Sequence, residues 1–319
     1  MKNVLVTGGA GFIGSALVRG LLGEEGVERV VVVDNLLTGK QANLQEVRDD
    51  VEFHELDIRD GAALDKVFTG IDVVFHEAAI PSVPRSIAEP ELSHDVNVNG
   101  TFNVFLAAHR QGLKRVVYAA SSSAYGDTPT LPKTESMLPN PKSPYAVQKL
   151  LGEYYGKIFW EVFGLETVSL RYFNVFGPRQ DPTSPYSGVL SVFCKAIIEG
   201  RPPTMFGDGE QSRDFTYVDN VVRLNLLAAK SANAAGKVYN GGIGGRYTLN
   251  ETWALLGKIA GARIEAKHSP ARDGDVRDSQ ADLAAACRDL GYEPIVGFEE
   301  GLRRTLEWYR EAEPATRSG

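Results

Sequence analysis

The segment Val4-Leu5-Val6-Thr7-Gly8-Gly9-Ala10-Gly11-Phe12-Ile13-Gly14 constrains this chain more than any other. A short apolar run, then glycines three residues apart, then a helical pattern, specifies a strand, a tight turn and a helix. Gly8 permits the turn, Gly11 lets backbone approach a pyrophosphate, and Gly14 lets helix and strand pack closely. The run Val30-Val31-Val32-Val33-Asp34 then ends in a carboxylate 20 residues beyond Gly14. An acid there accepts hydrogen bonds from both ribose hydroxyls and repels a 2′-phosphate, which selects NAD over NADP. An ordinary strand–turn–helix would explain the glycines but not the acid at that distance.

Apolar runs at 4–6, 29–33, 51–56, 73–76, 115–120 and 167–171 alternate with helical patterns over 13–22, 61–69, 98–111 and 145–163. This alternation predicts an α/β protein, a doubly wound parallel (Rossmann) sheet with helices on both faces. Beyond about residue 175 the texture changes to Pro- and Gly-rich loops at 177–182 and 207–210, with helical patterns at 189–199, 218–229, 250–260 and 300–311. The expected division is 1–175 for an NAD-binding domain and 176–319 for a smaller α/β substrate-binding region over the sheet's carboxyl edge. Residues 314–319 read as a frayed tail.

Charge narrows the partners. Lys and Arg total 34 against 41 Asp and Glu, a net charge of −7, with no basic block. A nucleic-acid or membrane-surface binder needs a concentrated positive face. No apolar run approaches the roughly 18 residues of a membrane span. Cys194 and Cys287 lack metal or disulfide spacing and fit reduced thiols in a cytoplasmic protein, Cys194 as a core residue. His54, His76, His94, His109 and His268 show no metal spacing. The apolar stripe over 145–163 is wider than one core face requires, which predicts a homodimer contact or a cover supplied by the C-terminal region.

Two clusters carry chemistry. Tyr145 and Lys149 stand four residues apart, one turn along a single helix face. An ammonium there favours phenolate and is expected to draw the phenol toward neutrality, as a base. Ser121-Ser122-Ser123 ends the strand at 115–120, where a hydroxyl can hydrogen-bond a reacting alcohol and share its proton. Counting back from Tyr125-Gly126 selects Ser121. With a nucleotide-binding turn in the same chain, this is hydride chemistry on an alcohol.

Taken with Arg171-Tyr172-Phe173-Asn174-Val175-Phe176-Gly177-Pro178, these motifs resemble the extended short-chain dehydrogenase/reductases over nearly the whole chain. Among them the chain is most similar to the UDP-hexose 4-epimerases, especially the type acting on N-acetylated sugars. The resemblance implies tightly retained NAD and a catalytic set of Ser121, Tyr145 and Lys149. It implies cofactor contacts from Gly8, Gly11, Phe12, Ile13, Gly14, Asp34, Asn35, Asp57, Ile58, Ala78, Ala79, Asn97 and Tyr172, with Asp57 and Ile58 near the adenine. For the UDP-sugar it implies Ser82, Val83, Ser122, Ser123, Asn174, Phe206, Arg213, Arg272, Asp275 and Ser279.

The details point the same way. Related 4,6-dehydratases carry an Asp-Glu pair where this chain has Ser122-Ser123, and related decarboxylases usually carry Glu at Ser123. Epimerases restricted to glucose and galactose commonly place Tyr where Ser279 stands, and a small residue leaves room for an N-acetyl group. Arg213 and Arg272 are the expected diphosphate holders, Asp275 a ribose contact and Asn174 a diphosphate contact. The implied activity is 4-epimerisation of UDP-GlcNAc/UDP-GalNAc and of UDP-Glc/UDP-Gal. UDP-glucuronate is the alternative substrate, with Arg85 or Arg179 meeting its carboxylate. A non-catalytic NAD-binding sensor on the same fold is the other reading, weakened because Tyr145 and Lys149 are both kept.

Overall fold

The β-branched runs form the strands they predict: β1 (Asn3–Thr7), β2 (Arg29–Asp34), β3 (Glu52–Glu55), β4 (Val73–His76), β5 (Arg115–Ser121) and β6 (Glu166–Tyr172). The structure, a computed structural model, describes residues 1–182, 188–270 and 276–312. A seventh strand, β7 (Lys237–Gly241), pairs with β6, and the parallel order is β7-β6-β5-β4-β1-β2-β3. The order reverses between β1 and β4, the switch point at which such sheets open a ligand crevice. Register places Thr7 beside Val33 and His76, and Ser121 beside Tyr172, so one edge gathers the residues that carry the chemistry.

Alternation along each strand feeds two cores. Val4 and Val6 pack with α1 (Phe12–Leu22), whereas Leu5 faces the opposite side with Leu64 of α2 (Gly61–Val67) and Phe105 of α3 (Thr101–Arg110). Helix α4 (Pro144–Phe163) completes that second face, and α5 (Val218–Lys230) lies beside α1 on the first. Both faces are apolar, as a buried parallel sheet requires. The sheet layer therefore draws on α5 and β7 as well as on residues 1–175. Without β7 the edge of β6 would be left unpaired. Past 175, helices Val189–Ile198, Leu249–Ala260 and Phe298–Ala312 enclose a third core around Phe193, Trp253 and Leu302. Cys194 sits in it, with burial pushing its thiol up to about 12, so it is a core residue and not a nucleophile.

Two local departures matter. The helical pattern expected over 98–111 begins as a π-turn, Asp95–Gly100, before α3 starts. On α4, Val147, Tyr154, Ile158, Val162 and Phe163 stay exposed, so the C-terminal region does not cover the wide apolar stripe among the described residues. No helix among the described residues is long and apolar enough to cross a membrane.

Candidate active site

A cavity of about 1190 Å³ runs along the carboxyl edge at the switch point. Its floor is the glycine turn. Gly8 has φ +70°, and a Cβ on it would lie 2.6 Å from the Ala78 nitrogen. A Cβ on Gly14 would lie 2.1 Å from the Gly8 carbonyl oxygen. Gly8 and Gly14 are thus demanded by the chain's own packing. Helix α1 starts at Gly11 with no side-chain cap, so its first N–H groups face the cavity unclaimed by the chain.

Asp34 lies at the cavity wall, its Oδ2 accepting from Ala10 N at 2.9 Å and its Oδ1 from Leu36 N at 2.8 Å. Burial raises its pKa against these two bonds. An uncapped helix end for a diphosphate and an oriented carboxylate for a ribose fit a dinucleotide. Phe12, Ile13, Asn35, Ile58, Ala78, Ala79 and Tyr172 line the same cavity, as expected of cofactor contacts.

Two expected cofactor contacts do other work. Asp57 is gripped by Arg59 at 2.8 Å and by Asn35 at 2.7 Å, which hold its carboxyl down to about 2, and it is not among the lining residues. Asn97 is 1% exposed. Its Oδ1 accepts from Ile80 N, and its Nδ2 donates to Ile80 O and Gln148 Oε1. Its amide ties Ile80 to Gln148, so it positions that wall without forming it.

Beyond the dinucleotide surface stand the reacting groups. Ser121 ends β5, and its Oγ accepts from Ser123 Oγ at 2.9 Å and from Ser123 N at 3.2 Å. Tyr145 is in the first turn of α4, which Pro144 and the Ser143 cap start. Tyr145 and Ser121 both line the cavity, and the Ser121 hydroxyl acts on the Tyr145 phenol to lower its pKa. Lys149 stands one turn on, behind the wall, with Nζ donating to Ala119 O at 2.7 Å and lying 5.0 Å from the Tyr118 ring centre.

The expected activation of Tyr145 does not appear in the chain alone. Burial pushes its phenol up to about 12, the Ser121 hydrogen bond pulls it down, and Glu77 opposes ionisation. Lys149 donates one ammonium N–H to the Ala119 carbonyl and is itself pushed down by burial.

On the sugar side Ser82, Val83, Ser122, Ser123, Asn174, Arg213 and Ser279 line the cavity. Ser82 also caps the helix Val83–Ala88, accepting from Arg85 N. Asn174 Nδ2 donates to the Asp214 carbonyl at 3.2 Å, and Arg213 Nη1 to Ser212 O at 2.9 Å. Phe206 is not on this wall; its strand, Thr204–Phe206, pairs with Lys267–Ser269. Arg272 and Asp275 lie outside the described residues.

Glu77 and Lys133 are among the wall residues that have no counterpart in the sequence reading. Glu77 follows β4 directly and accepts a 2.7 Å hydrogen bond from the Tyr172 hydroxyl. Lys133 is 1% exposed, with its ammonium on the Thr128 carbonyl. Position at a strand's carboxyl end could have flagged Glu77; nothing local flags Lys133.

Residues 4–242 match the NAD dependent epimerase/dehydratase family. The chain belongs to that family. NAD is accordingly its cofactor. The chain is 38% identical over 317 residues to a UDP-glucose 4-epimerase of Mycolicibacterium smegmatis, covering 97% of this chain and 98% of that one. It is similar to a UDP-N-acetylglucosamine 4-epimerase of Methanobrevibacter ruminantium solved with UDP-N-acetylmuramic acid, at 40% identity and TM-score 0.93 over 98% and 99% of the two chains. It is also similar to a UDP-glucuronic acid 4-epimerase of Bacillus cereus solved with UDP-glucuronic acid and NAD, at 33% identity and TM-score 0.91 over 98% and 100%.

Proposed function

We propose that the protein is a UDP-sugar 4-epimerase acting on UDP-N-acetylglucosamine and UDP-N-acetylgalactosamine, and also on UDP-glucose and UDP-galactose. One observation carries this reading: a single cavity joins the dinucleotide turn, the Ser121–Tyr145 pair and a sugar-side wall of small hydroxyl residues that includes Ser279. Tyr145 takes the proton of the sugar's 4-hydroxyl, with Ser121 holding that oxygen. When bound, NAD supplies the hydride acceptor and donor and a positively charged ring. The 4-keto sugar then turns over while Arg213, with Arg272, keeps the diphosphate clamped. Small side chains at Ser122, Ser123 and Ser279 leave room for that rotation and for an N-acetyl group.

In this reading residues 1–175 hold NAD and, through Ser82, Val83, Ser122, Ser123 and Asn174, part of the UDP-sugar wall, which 176–319 completes, in a cytoplasmic protein. The uncovered face of α4 meets a second copy in a homodimer; a monomeric mass by light scattering would overturn that part. The glucuronate alternative needs a cation at the sugar. Arg179 engages Glu46 and lines a separate cavity, whereas Arg85 lines this one with its guanidinium turned to Glu89 at 3.3 Å.

Proton NMR of the purified protein with UDP-N-acetylglucosamine, no cofactor added, tests the proposal. Growth of UDP-N-acetylgalactosamine to a fixed ratio supports it. An unchanged spectrum, followed by turnover of UDP-glucuronate alone, would replace it with the glucuronate reading.

A further inference from the structure

Glu77 is an acid that the sugar chemistry does not require. It occupies the wall between the glycine turn and the reacting groups. Its N–H donates to Thr7 O at 3.1 Å, and the neighbouring Ala78 backbone closes on Gly8. Its Oε1 takes the Tyr172 hydroxyl, whose oxygen in turn accepts from Asn225 Nδ2 at 2.7 Å. The backbone is therefore fixed at Thr7, and the carboxyl is held on the cavity wall by the Tyr172 hydroxyl.

The charged and titratable groups around it are few. Lys149 of α4 favours its ionisation, and Tyr145 and Tyr172 stand near it as neutral phenols. His76, its chain neighbour, is kept uncharged by burial, down to about 3. Burial raises the Glu77 carboxyl toward neutrality against the Tyr172 bond and the Lys149 charge.

We propose that Glu77 is a positioning residue of electrostatic kind: its carboxylate makes the site prefer the oxidised, positively charged cofactor over the neutral reduced one. The two cofactor forms differ by one positive charge on the ring, so a fixed negative charge in a low-dielectric wall separates their affinities. Such a bias favours return of the hydride to the sugar and disfavours a stranded reduced site. The inference rests on NAD as cofactor, not on which sugar is bound.

The test is calorimetric titration of cofactor-stripped protein with NAD and with NADH, across pH, for wild type, Glu77→Gln and Glu77→Asp. Wild type should favour NAD, and Glu77→Gln should cut the ratio of the two affinities by roughly tenfold at a pH where Glu77 is ionised. The gap between wild type and Glu77→Gln should close as pH falls and protonates Glu77, and Glu77→Asp should restore most of it. Equal weakening of both cofactor forms, or a gap that ignores pH, would overturn the proposal. If Glu77→Gln does not fold, Glu77→Asp and wild type still decide, since a wild-type ratio unchanged over the titration of Glu77 also refutes it. No sugar enters the measurement, so failure of the epimerase reading leaves it intact and is seen separately by NMR.

Discussion

Replacing Gly14 by alanine isolates the turn from everything else in the site. The added Cβ would sit 2.1 Å from the Gly8 carbonyl oxygen and 2.8 Å from both the Gly8 carbon and Gly9 Cα. All three are backbone atoms, so no flexible side chain can move aside, and α1 must retreat from the turn. That retreat strains the bond from Gly11 N to Gly8 O, now 3.0 Å. Overpacking costs about 1–3 kcal/mol and a lost hydrogen bond about 1, giving about 2–4 kcal/mol in all.

The cost falls in one of two places. If the native turn persists, the fold is strained. With unfolding entropy of about 2.1 cal/mol/K per residue, Tm then drops by about 3–6 °C for a chain of 319 residues. If the turn relaxes instead, NAD must re-form it, and affinity drops by about 30-fold or more. Scanning calorimetry of the stripped protein and titration with NAD read the two shares. Gly23→Ala is the control, since a Cβ there meets nothing closer than 3.7 Å. Gly14→Ala with wild-type Tm and wild-type NAD affinity would refute the geometric argument.

Three further outcomes are expected. Tyr145→Phe keeps NAD bound but lowers kcat by at least about 10²-fold, because proton transfer loses its carrier; wild-type turnover would remove Tyr145 from the mechanism. Ser279→Tyr abolishes turnover of the N-acetylated pair and spares UDP-glucose, and equal loss on both would deny Ser279 a gating role. His76 is fully buried between the Thr7 and Thr101 hydroxyls, with a pKa lowered from 6.5 to about 3 by burial. Between those values the unfolded chain binds a proton that the folded one does not, so stability present above pH 6.5 is lost as pH falls. Urea unfolding should show about 2 kcal/mol lost by pH 5 that His76→Asn does not lose, and parallel pH slopes would sink this.

What the sequence disclosed follows from how local each cause is. The glycine spacing and the Tyr145–Lys149 step can be read within a few residues, Asp34 from its fixed distance beyond the turn, and Ser121 from its place at a strand end. Asn97 was not legible as a wall support because its partner Ile80 is 17 residues away. The strand β7 is five residues ending in Asn-Gly, a weak signal until β6 offers an edge. Asp57 at a strand end suits a ligand contact, and only the fold shows Arg59 and Asn35 occupying it.

The phenol shows what spacing leaves out, since the mechanism the sequence implies has both Lys149 and the positive nicotinamide stabilising the phenolate. Spacing correctly put Tyr145 and Lys149 on neighbouring turns of one helix, but spacing carries no information about desolvation. In the chain itself burial outweighs every favourable contact at Tyr145, and the Lys149 ammonium donates to the Ala119 carbonyl. On the proposed mechanism the positive charge that frees the proton comes with the charged ring of NAD. A base made this way exists only in the loaded protein. Ultraviolet titration of tyrosinate, with Tyr145→Phe as the blank, should find no Tyr145 ionisation below pH 10 in stripped protein and a lower midpoint once NAD is bound. An equally high midpoint in both would deny NAD this role, and a midpoint below pH 10 already in stripped protein would mean that the chain activates its own tyrosine, with Lys149 acting from a position other than the one seen.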